Sequence, residues 1–115
     1  MIIDWTKTTI MVKPGKTDFR KQINGLAVIV EKELKLNVFS NYLFLFCSKN
    51  RSRLKILYWD RNGFCLWLKR LEKDKFPWPA NETEAREITA EEFKMLLDGI
   101  NFFTAHKKLS YSQVV

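Results

Sequence analysis

The middle of the chain contains an unbroken run of apolar residues, Tyr42-Leu43-Phe44-Leu45-Phe46-Cys47, which limits the possible folds more than any other segment. A strand with one wet face alternates apolar and polar residues, whereas a strand covered on both faces shows no alternation. The run is also much shorter than the stretch of about 18 residues that a membrane span needs. It therefore predicts a buried strand, while the sequence leaves open whether both faces of the whole sheet are covered.

Two further strands follow this run and are joined by a turn. The segments 54–59 and 64–69 are rich in aromatic and branched residues, and they flank Asp60-Arg61-Asn62-Gly63. An Asn-Gly pair between two such runs is a strong hairpin signal, because both residues tolerate positive φ. The sequence predicts a hairpin, and both a two-residue turn and a three-residue turn with a bulge remain open.

The segment before the central strand predicts a strand and a helix. Residues 8–12 form a plausible strand, which the turn signal Lys13-Pro14-Gly15 should end. Thr17 is a suitable N-cap for a helix, and apolar residues recur at three- and four-residue spacing up to Leu34. Gly25 lies inside this helix, where close packing on a neighbour would explain it.

A second helix is predicted near the end of the chain. Thr89 and Glu92 have the spacing of a capping box, and Ile88 and Phe93 are placed to form a hydrophobic staple. Gly99 is a natural C-terminal cap. Before this helix, residues 76–79 (Phe-Pro-Trp-Pro) should be extended, because two prolines so close together exclude a helix.

These elements predict an α+β fold. We expect a small antiparallel sheet with a central hairpin, one long helix before it and one short helix after it. The length fits a single domain over residues 1–115, with an ordered core at about 8–103 and a tail at 104–115 that carries no firm signal.

The sequence offers little support for catalysis. It contains no glycine-rich phosphate motif and a single histidine, His106, in the weakly patterned tail. Cys47 and Cys65 lie in strand-like runs and are expected to be buried thiols, with no disulfide and no metal. We expect no catalytic residues, no cofactor and no small-molecule substrate. The N-terminus lacks a secretory signal, so a cytoplasmic location without a membrane partner is expected.

The positive charge of the chain is concentrated in its middle. The formal net charge is +7, and residues 49–75 carry nine basic groups against three acidic ones. Such an asymmetry favours a polyanionic partner, although it does not distinguish DNA from RNA. The candidate nucleic-acid-binding residues are Lys49, Arg51, Arg53, Lys55, Arg61, Lys69, Arg70, Lys73 and Lys75.

Two other functions are compatible with the residues. In a protein–protein adaptor, exposed Trp78, Phe102 and Phe103 would be contacts for the partner, since aromatic residues often anchor interfaces. A small basic ribonuclease is less favoured and would depend on His106 or Glu72.

Residues 54–79 contain an unusual series of motifs. Leu54-Lys55 is followed by Trp59-Asp60, a glycine turn, residues 69–72 (Lys-Arg-Leu-Glu) and residues 76–79 (Phe-Pro-Trp-Pro). This series resembles the TnpB-type accessory proteins of bacterial transposons of the insertion-sequence sixty-six family, and the likeness extends over about residues 10–102.

The resemblance implies a role beside a separate, larger transposase that carries the catalytic acids. It supplies no catalytic residues for this chain. It implies a non-catalytic accessory protein with DNA, at the element ends, and the transposase as its candidate partners.

Overall fold

The computed structural model describes residues 7–80 and 84–101, and within them the chain forms five strands and two helices. In chain order these are β1 Thr9–Lys16, α1 Ile23–Lys32, β2 Tyr42–Cys47, β3 Arg53–Asp60, β4 Gly63–Arg70, β5 Arg86–Ile88 and α2 Ala90–Leu97.

The strands form one mixed sheet in the order β4-β3-β2-β1-β5. β1 and β2 are parallel, and the other neighbouring pairs are antiparallel. The predicted α+β class is confirmed, but the expectation of a purely antiparallel sheet is wrong. The connection through α1 returns the chain to the end of the sheet where β1 started, which is how parallel neighbours are joined.

β2 lies in the middle of the sheet and is buried on both faces. On one face, Leu43, Leu45 and Cys47 join a core that includes Phe93 and Leu96 of α2. On the other face, Phe44 and Phe46 join a core with Leu26, Ile29 and Val30 of α1. This arrangement explains the lack of polar alternation in β2, because each face of this strand is covered by a helix.

The predicted hairpin forms between β3 and β4, with a two-residue turn closed by Asp60 and Gly63. Arg61 takes the positive φ, at 48°. Gly63 does not have positive φ and begins β4. The hairpin was therefore predictable, although the residue that adopts the left-handed conformation was not the expected one.

The first helix is shorter than predicted and starts later. α1 has 10 residues and begins at Ile23, and its N-cap is Gln22 rather than Thr17. The backbone N–H of Thr17 instead donates to the Cys47 carbonyl at 2.8 Å, at the end of β2. Residues 17–22 form a connecting loop. Two of its carbonyls, those of Phe19 and Lys21, accept hydrogen bonds from the Lys55 ammonium.

Gly25 lacks a side chain and therefore lets the end of this loop, at Lys21, pack closely against α1. A Cβ at position 25 would stand 3.0 Å from the Cβ of Lys21. The close neighbour of Gly25 is therefore the incoming chain, and a larger residue would push Lys21 away from the helix.

β1 continues through the turn signal that was expected to end it. The register with β2 shifts between Val12 and Lys16, so Pro14 sits in an irregular part of the strand where its missing N–H is tolerated. Gly15 has a φ of 74°, and its N–H donates to the Pro79 carbonyl at 2.8 Å. The far edge of β1 is covered by β5, which the sequence analysis did not predict.

The second helix forms as expected. The Thr89 hydroxyl accepts from the Glu92 N–H at 3.0 Å, and the Glu92 carboxylate accepts from the Thr89 N–H at 2.9 Å. Gly99 has a φ of 76°, and its N–H donates to the Leu96 carbonyl. The capping box and the glycine cap are both confirmed.

Residues 76–79 form no helix or strand and pack on the α2 side of the sheet. Phe76 is fully buried, and the indole Nε1 of Trp78 donates to the Lys13 carbonyl at 2.8 Å. Trp78 is half-buried against this core. It therefore ties the segment to β1, which differs from the exposed partner contact that the sequence analysis expected.

Replacing Trp78 tests this assignment. We expect Trp78→Phe to lower the free energy of unfolding by about 1–3 kcal/mol, because the Lys13 carbonyl loses its donor and packing volume is lost. Urea denaturation measures the change. The matched control is Trp67→Phe on exposed β4, for which we expect a change within about 0.5 kcal/mol. Equal effects of the two substitutions would contradict the structural role of Trp78.

Candidate nucleic-acid interface

One end of the sheet collects most of the predicted cations. β1 and β2 end there, β3 starts there and β4 ends there. We call this surface the basic end and define it as Lys16 together with segments 48–53 and 70–75. It carries seven basic residues and two acidic ones, Glu72 and Asp74, and it includes six of the nine candidates. These six are Lys49, Arg51, Arg53, Arg70, Lys73 and Lys75.

The β2–β3 turn is held by side chains as well as by backbone. The Ser48 N–H donates to the Arg53 carbonyl, and the Arg53 N–H donates to the Ser48 hydroxyl, both at 3.0 Å. The Asn50 carboxamide oxygen accepts from the hydroxyls of Ser48 and Ser52 at 2.9 and 2.8 Å. Short polar side chains of this kind favour turns because they replace missing backbone partners. The turn therefore presents its exposed cations from a fixed frame.

The loop after β4 is attached to this turn by two backbone hydrogen bonds. The Leu71 N–H donates to the Ser52 carbonyl, and the Phe76 N–H donates to the Arg51 carbonyl, each at 2.8 Å. Lys73 and Lys75 lie between these two anchor points and are exposed. Cations that are separated by more than 20 residues in sequence therefore belong to one surface.

Two arginines face each other across this end of the sheet. Arg53 and Arg70 are cross-strand partners in the β3–β4 register, and both are exposed. Like charges directly opposite are unfavourable for the sheet itself. Glu72 relieves part of this repulsion, since its carboxylate accepts from Arg70 Nε at 2.9 Å. Arg53 has no such carboxylate within ion-pair distance among the described residues, so the pair keeps a net positive charge.

Three of the nine candidates do not belong to this surface. Arg61 is at the tip of the hairpin. The eight residues of β3 separate it from the basic end, a distance of about 25 Å. The Lys69 ammonium donates to the Leu97 carbonyl at 2.9 Å, where it caps the C-terminus of α2. Lys55 lies inside the fold.

Lys55 is only 5 % exposed, and its ammonium donates to two backbone carbonyls, those of Phe19 and Lys21, at 2.9 Å each. The same ammonium lies 4.8 Å from the centre of the Phe19 ring, within cation–π range. Desolvation, with the nearby Arg53 charge, lowers the pKa of Lys55. A cation bound in this way positions the loop before α1 and is not available to a phosphate.

The predicted partner contacts are not brought together. Trp78 is committed to β1, while Phe102 and Phe103, like His106, lie outside the described residues. Two exposed apolar surfaces were not predicted from the sequence. Phe39 is 57 % exposed and packs against Trp59 and Phe64, whereas Trp67 and Leu68 are exposed on edge strand β4. Only the solvent exposure revealed by the fold distinguishes these residues from core residues of the same type.

The described residues hold no cluster of three or more His, Cys, Asp or Glu side chains that could bind a metal ion. Burial raises the pKa of Cys47 to about 12, so its thiol is protonated at neutral pH. Cys65 is half-buried on β4, although a buried thiol was expected. The register puts Lys69 in line with Cys47 two strands away, and Cys65 lies four residues further along, so the two cysteines are about 16 Å apart and no disulfide can join them.

The IS66 Orf2-like protein family model matches residues 8–107. The chain belongs to this family. The matched range contains the five strands, the two helices and all residues of the basic end. This confirms the family that the motifs of residues 54–79 suggested, and it links the chain to insertion elements and transposition.

Two curated relatives of this IS66 Orf2-like protein come from Sinorhizobium fredii. Uncharacterized protein y4hO is 37% identical over 93 residues, which is 81% of each chain. Uncharacterized protein y4jC is 34% identical over 99 residues, or 86% of this chain and 85% of the relative. No solved structure matches the chain. In the described ranges, neither helix is long and apolar enough to cross a bilayer.

The role of Lys55 can be tested by replacing it with an apolar residue of similar length. We expect Lys55→Met to lower the free energy of unfolding by about 1–3 kcal/mol, because two carbonyls lose their shared donor. Thermal or urea unfolding measures this loss. The control is Lys73→Met on the exposed loop, for which the expected change is within about 0.5 kcal/mol. A neutral Lys55→Met substitution would show that the ammonium does not hold the loop.

Proposed function

We propose that this IS66 Orf2-like protein is a non-catalytic accessory protein of DNA transposition that acts in the cytoplasm and binds DNA through its basic end. The observation that carries the proposal is the convergence of six candidate cations on one end of the sheet. Lys16 adds a seventh, and the surface has a formal charge of +5 after Glu72 and Asp74 are subtracted. A concentrated positive surface of this size binds polyphosphate backbones by releasing their condensed counterions.

The structure of the basic end favours backbone contact over base reading. Its cations come from two short loops and from the ends of strands, and neither of the two described helices contributes a residue to it. Loops of this kind reach phosphates, whereas reading the major groove usually requires an inserted helix or ribbon. We therefore infer binding that depends strongly on salt and weakly on sequence.

The salt dependence of DNA binding tests the surface. We expect the triple substitution Arg51→Ala, Lys73→Ala and Lys75→Ala to weaken binding to element-end DNA. It should also reduce the slope of log affinity against log salt by about 0.9 for each lost phosphate contact. Fluorescence anisotropy across a salt series measures both quantities.

The matched control removes three cations from the other end of the sheet. Lys32, Lys35 and Arg61 are exposed, and Arg61 shares with Arg51 a positive φ. The control triple variant to Ala has the same net charge as the test variant. If both variants lose the same slope, binding follows net charge and the basic end has no special role.

A second candidate function, an adaptor for the transposase, is favoured by the exposed edge of β4. Asp60 and Gly63 close the hairpin as a hydrogen-bonded pair, and the pairing alternates along the strands up to Leu71, whose N–H donates to Ser52. The residues between these bonded pairs, including Leu66 and Leu68, thus direct their N–H and C=O groups outwards. An eight-residue edge with exposed apolar side chains can accept an added strand from a partner.

A charge on this edge tests the adaptor. We expect Leu68→Lys to weaken capture of the transposase by about tenfold or more in co-purification after nuclease treatment, because lysine on an edge strand blocks pairing. Val28→Lys is the control, since Val28 on α1 and Leu68 are both 55 % exposed. If the Leu68→Lys and Val28→Lys variants capture the transposase equally well, β4 is not the contact surface.

A further inference from the structure

We propose that the cleft at the carboxyl ends of β1 and β2 is a specific binding site for a phosphate group. The inference deepens the proposed function and rests on it only for the source of the phosphate, which we assign to the DNA backbone. The cleft has a volume of about 700 Å³, and its lining includes Lys16, Thr17, Lys49 and Arg53, whose side chains carry hydrogen-bond donors.

The position of the cleft follows from the parallel pair of strands. In open sheets, ligands bind outside the carboxyl ends of parallel strands, because loops diverge there and leave a crevice. β1 and β2 are the parallel pair of this sheet, and the cleft lies where they end. The bond from the Thr17 N–H to the Cys47 carbonyl holds the two walls together at 2.8 Å.

Thr17 gives an independent indication of a ligand. The residue is only 5 % exposed and lines the cleft, yet its hydroxyl has no hydrogen-bond partner among the described residues. A buried hydroxyl without a partner is unfavourable for folding and is uncommon. The hydroxyl oxygen is covered in the free protein, so a phosphate that reached it from the cleft would accept from it and remove the penalty.

The charged donors around Thr17 fit a tetrahedral oxyanion. Lys16 is the last residue of β1, Lys49 lies in the turn after β2, and Arg53 is the first residue of β3. The Arg53 guanidinium lies 5.7 Å from the centre of the Phe19 ring, which also lines the cleft. Guanidinium groups bind phosphate through two parallel hydrogen bonds, and lysines add point charges.

The one carboxylate of the cleft does not oppose an anion. Asp18 accepts from Arg20 Nη2 at 2.7 Å and from the Arg20 backbone N–H at 3.0 Å. These bonds lower the pKa of Asp18 to about 2. Its negative charge is therefore compensated by Arg20, and the charges of Lys16, Lys49 and Arg53 remain in excess.

A substitution of Thr17 can separate an effect of its hydroxyl on phosphate binding from an effect on stability. We expect Thr17→Val, which keeps the shape and removes the hydroxyl, to leave the Tm unchanged or higher. It should weaken the binding of inorganic phosphate by about tenfold, the loss expected for one hydrogen bond to a charged group. NMR titration with inorganic phosphate measures the affinity, and the largest shifts should appear at the Thr17, Ser48 and Arg53 amides.

Two variants control the measurement. Thr17→Ser keeps a hydroxyl and should retain most of the phosphate affinity. Thr9→Val makes the same chemical change at the other end of β1 and should leave the affinity unchanged. Equal phosphate affinity of the wild-type protein and Thr17→Val would overturn the site, as would shifts scattered over the surface.

A parallel NMR titration with a DNA duplex distinguishes this inference from the proposed function. If the phosphate comes from DNA, a duplex should shift the Thr17 signals and compete with inorganic phosphate. Duplex binding that leaves Thr17 unshifted would overturn the assignment to the DNA backbone. The Arg51, Lys73 and Lys75 triple variant should lose DNA affinity and keep the phosphate site, because none of these residues lines the cleft. Phosphate binding by a protein with no DNA affinity would support the site and contradict the proposed function.

Discussion

The ammonium of Lys55 is the interaction on which much of the candidate interface depends. It is buried under the sheet and donates to the carbonyls of Phe19 and Lys21. In an α-helix those carbonyls would accept from residues four positions later. Because Lys55 uses them instead, the chain stays open between β1 and α1. Phe19 then forms a wall of the cleft and gives Arg53 a ring to stack on.

This arrangement assigns different tasks to neighbouring basic residues. Arg53 and Lys55 are two positions apart on β3, so their side chains project from the same face of the sheet. Arg53 lies at the open end and is exposed, whereas Lys55 lies further in and is buried. The same residue class thus supplies both a support for the fold and a contact for an anion, and position along the strand decides which.

The topology of the sheet determines where the remaining cations meet. The parallel pair places Lys16 beside the β2–β3 turn, and backbone bonds attach the 70–75 loop to that turn. Positive charges that are concentrated on one surface repel one another, and the opposed pair of Arg53 and Arg70 adds to that cost. Binding of the proposed phosphate-bearing partner would offset this repulsion.

Local signals in the chain predicted much of the fold. The apolar run of β2, the Asn-Gly hairpin and the capping box of α2 each arise from neighbours in sequence, and each formed. The predicted start of α1 at Thr17 was wrong, because Lys55 is distant in sequence and takes the carbonyls that a longer helix would use. The parallel pairing of β1 and the short strand β5 also depend on partners that no local pattern reveals.

The properties of the candidate site also fall into two groups, those visible in the sequence and those that depend on packing. Residue types and their spacing are enough to show that the chain is basic in its middle third, that it carries the motifs of its family and that the central strand must be covered. The packed fold is needed to show that Lys55 is buried, that Lys69 caps a helix and that Arg61 lies at the far end of the sheet. Burial and distance are properties of packed chains, so the charge of a residue in the sequence cannot show whether that charge meets solvent, a carbonyl or a phosphate.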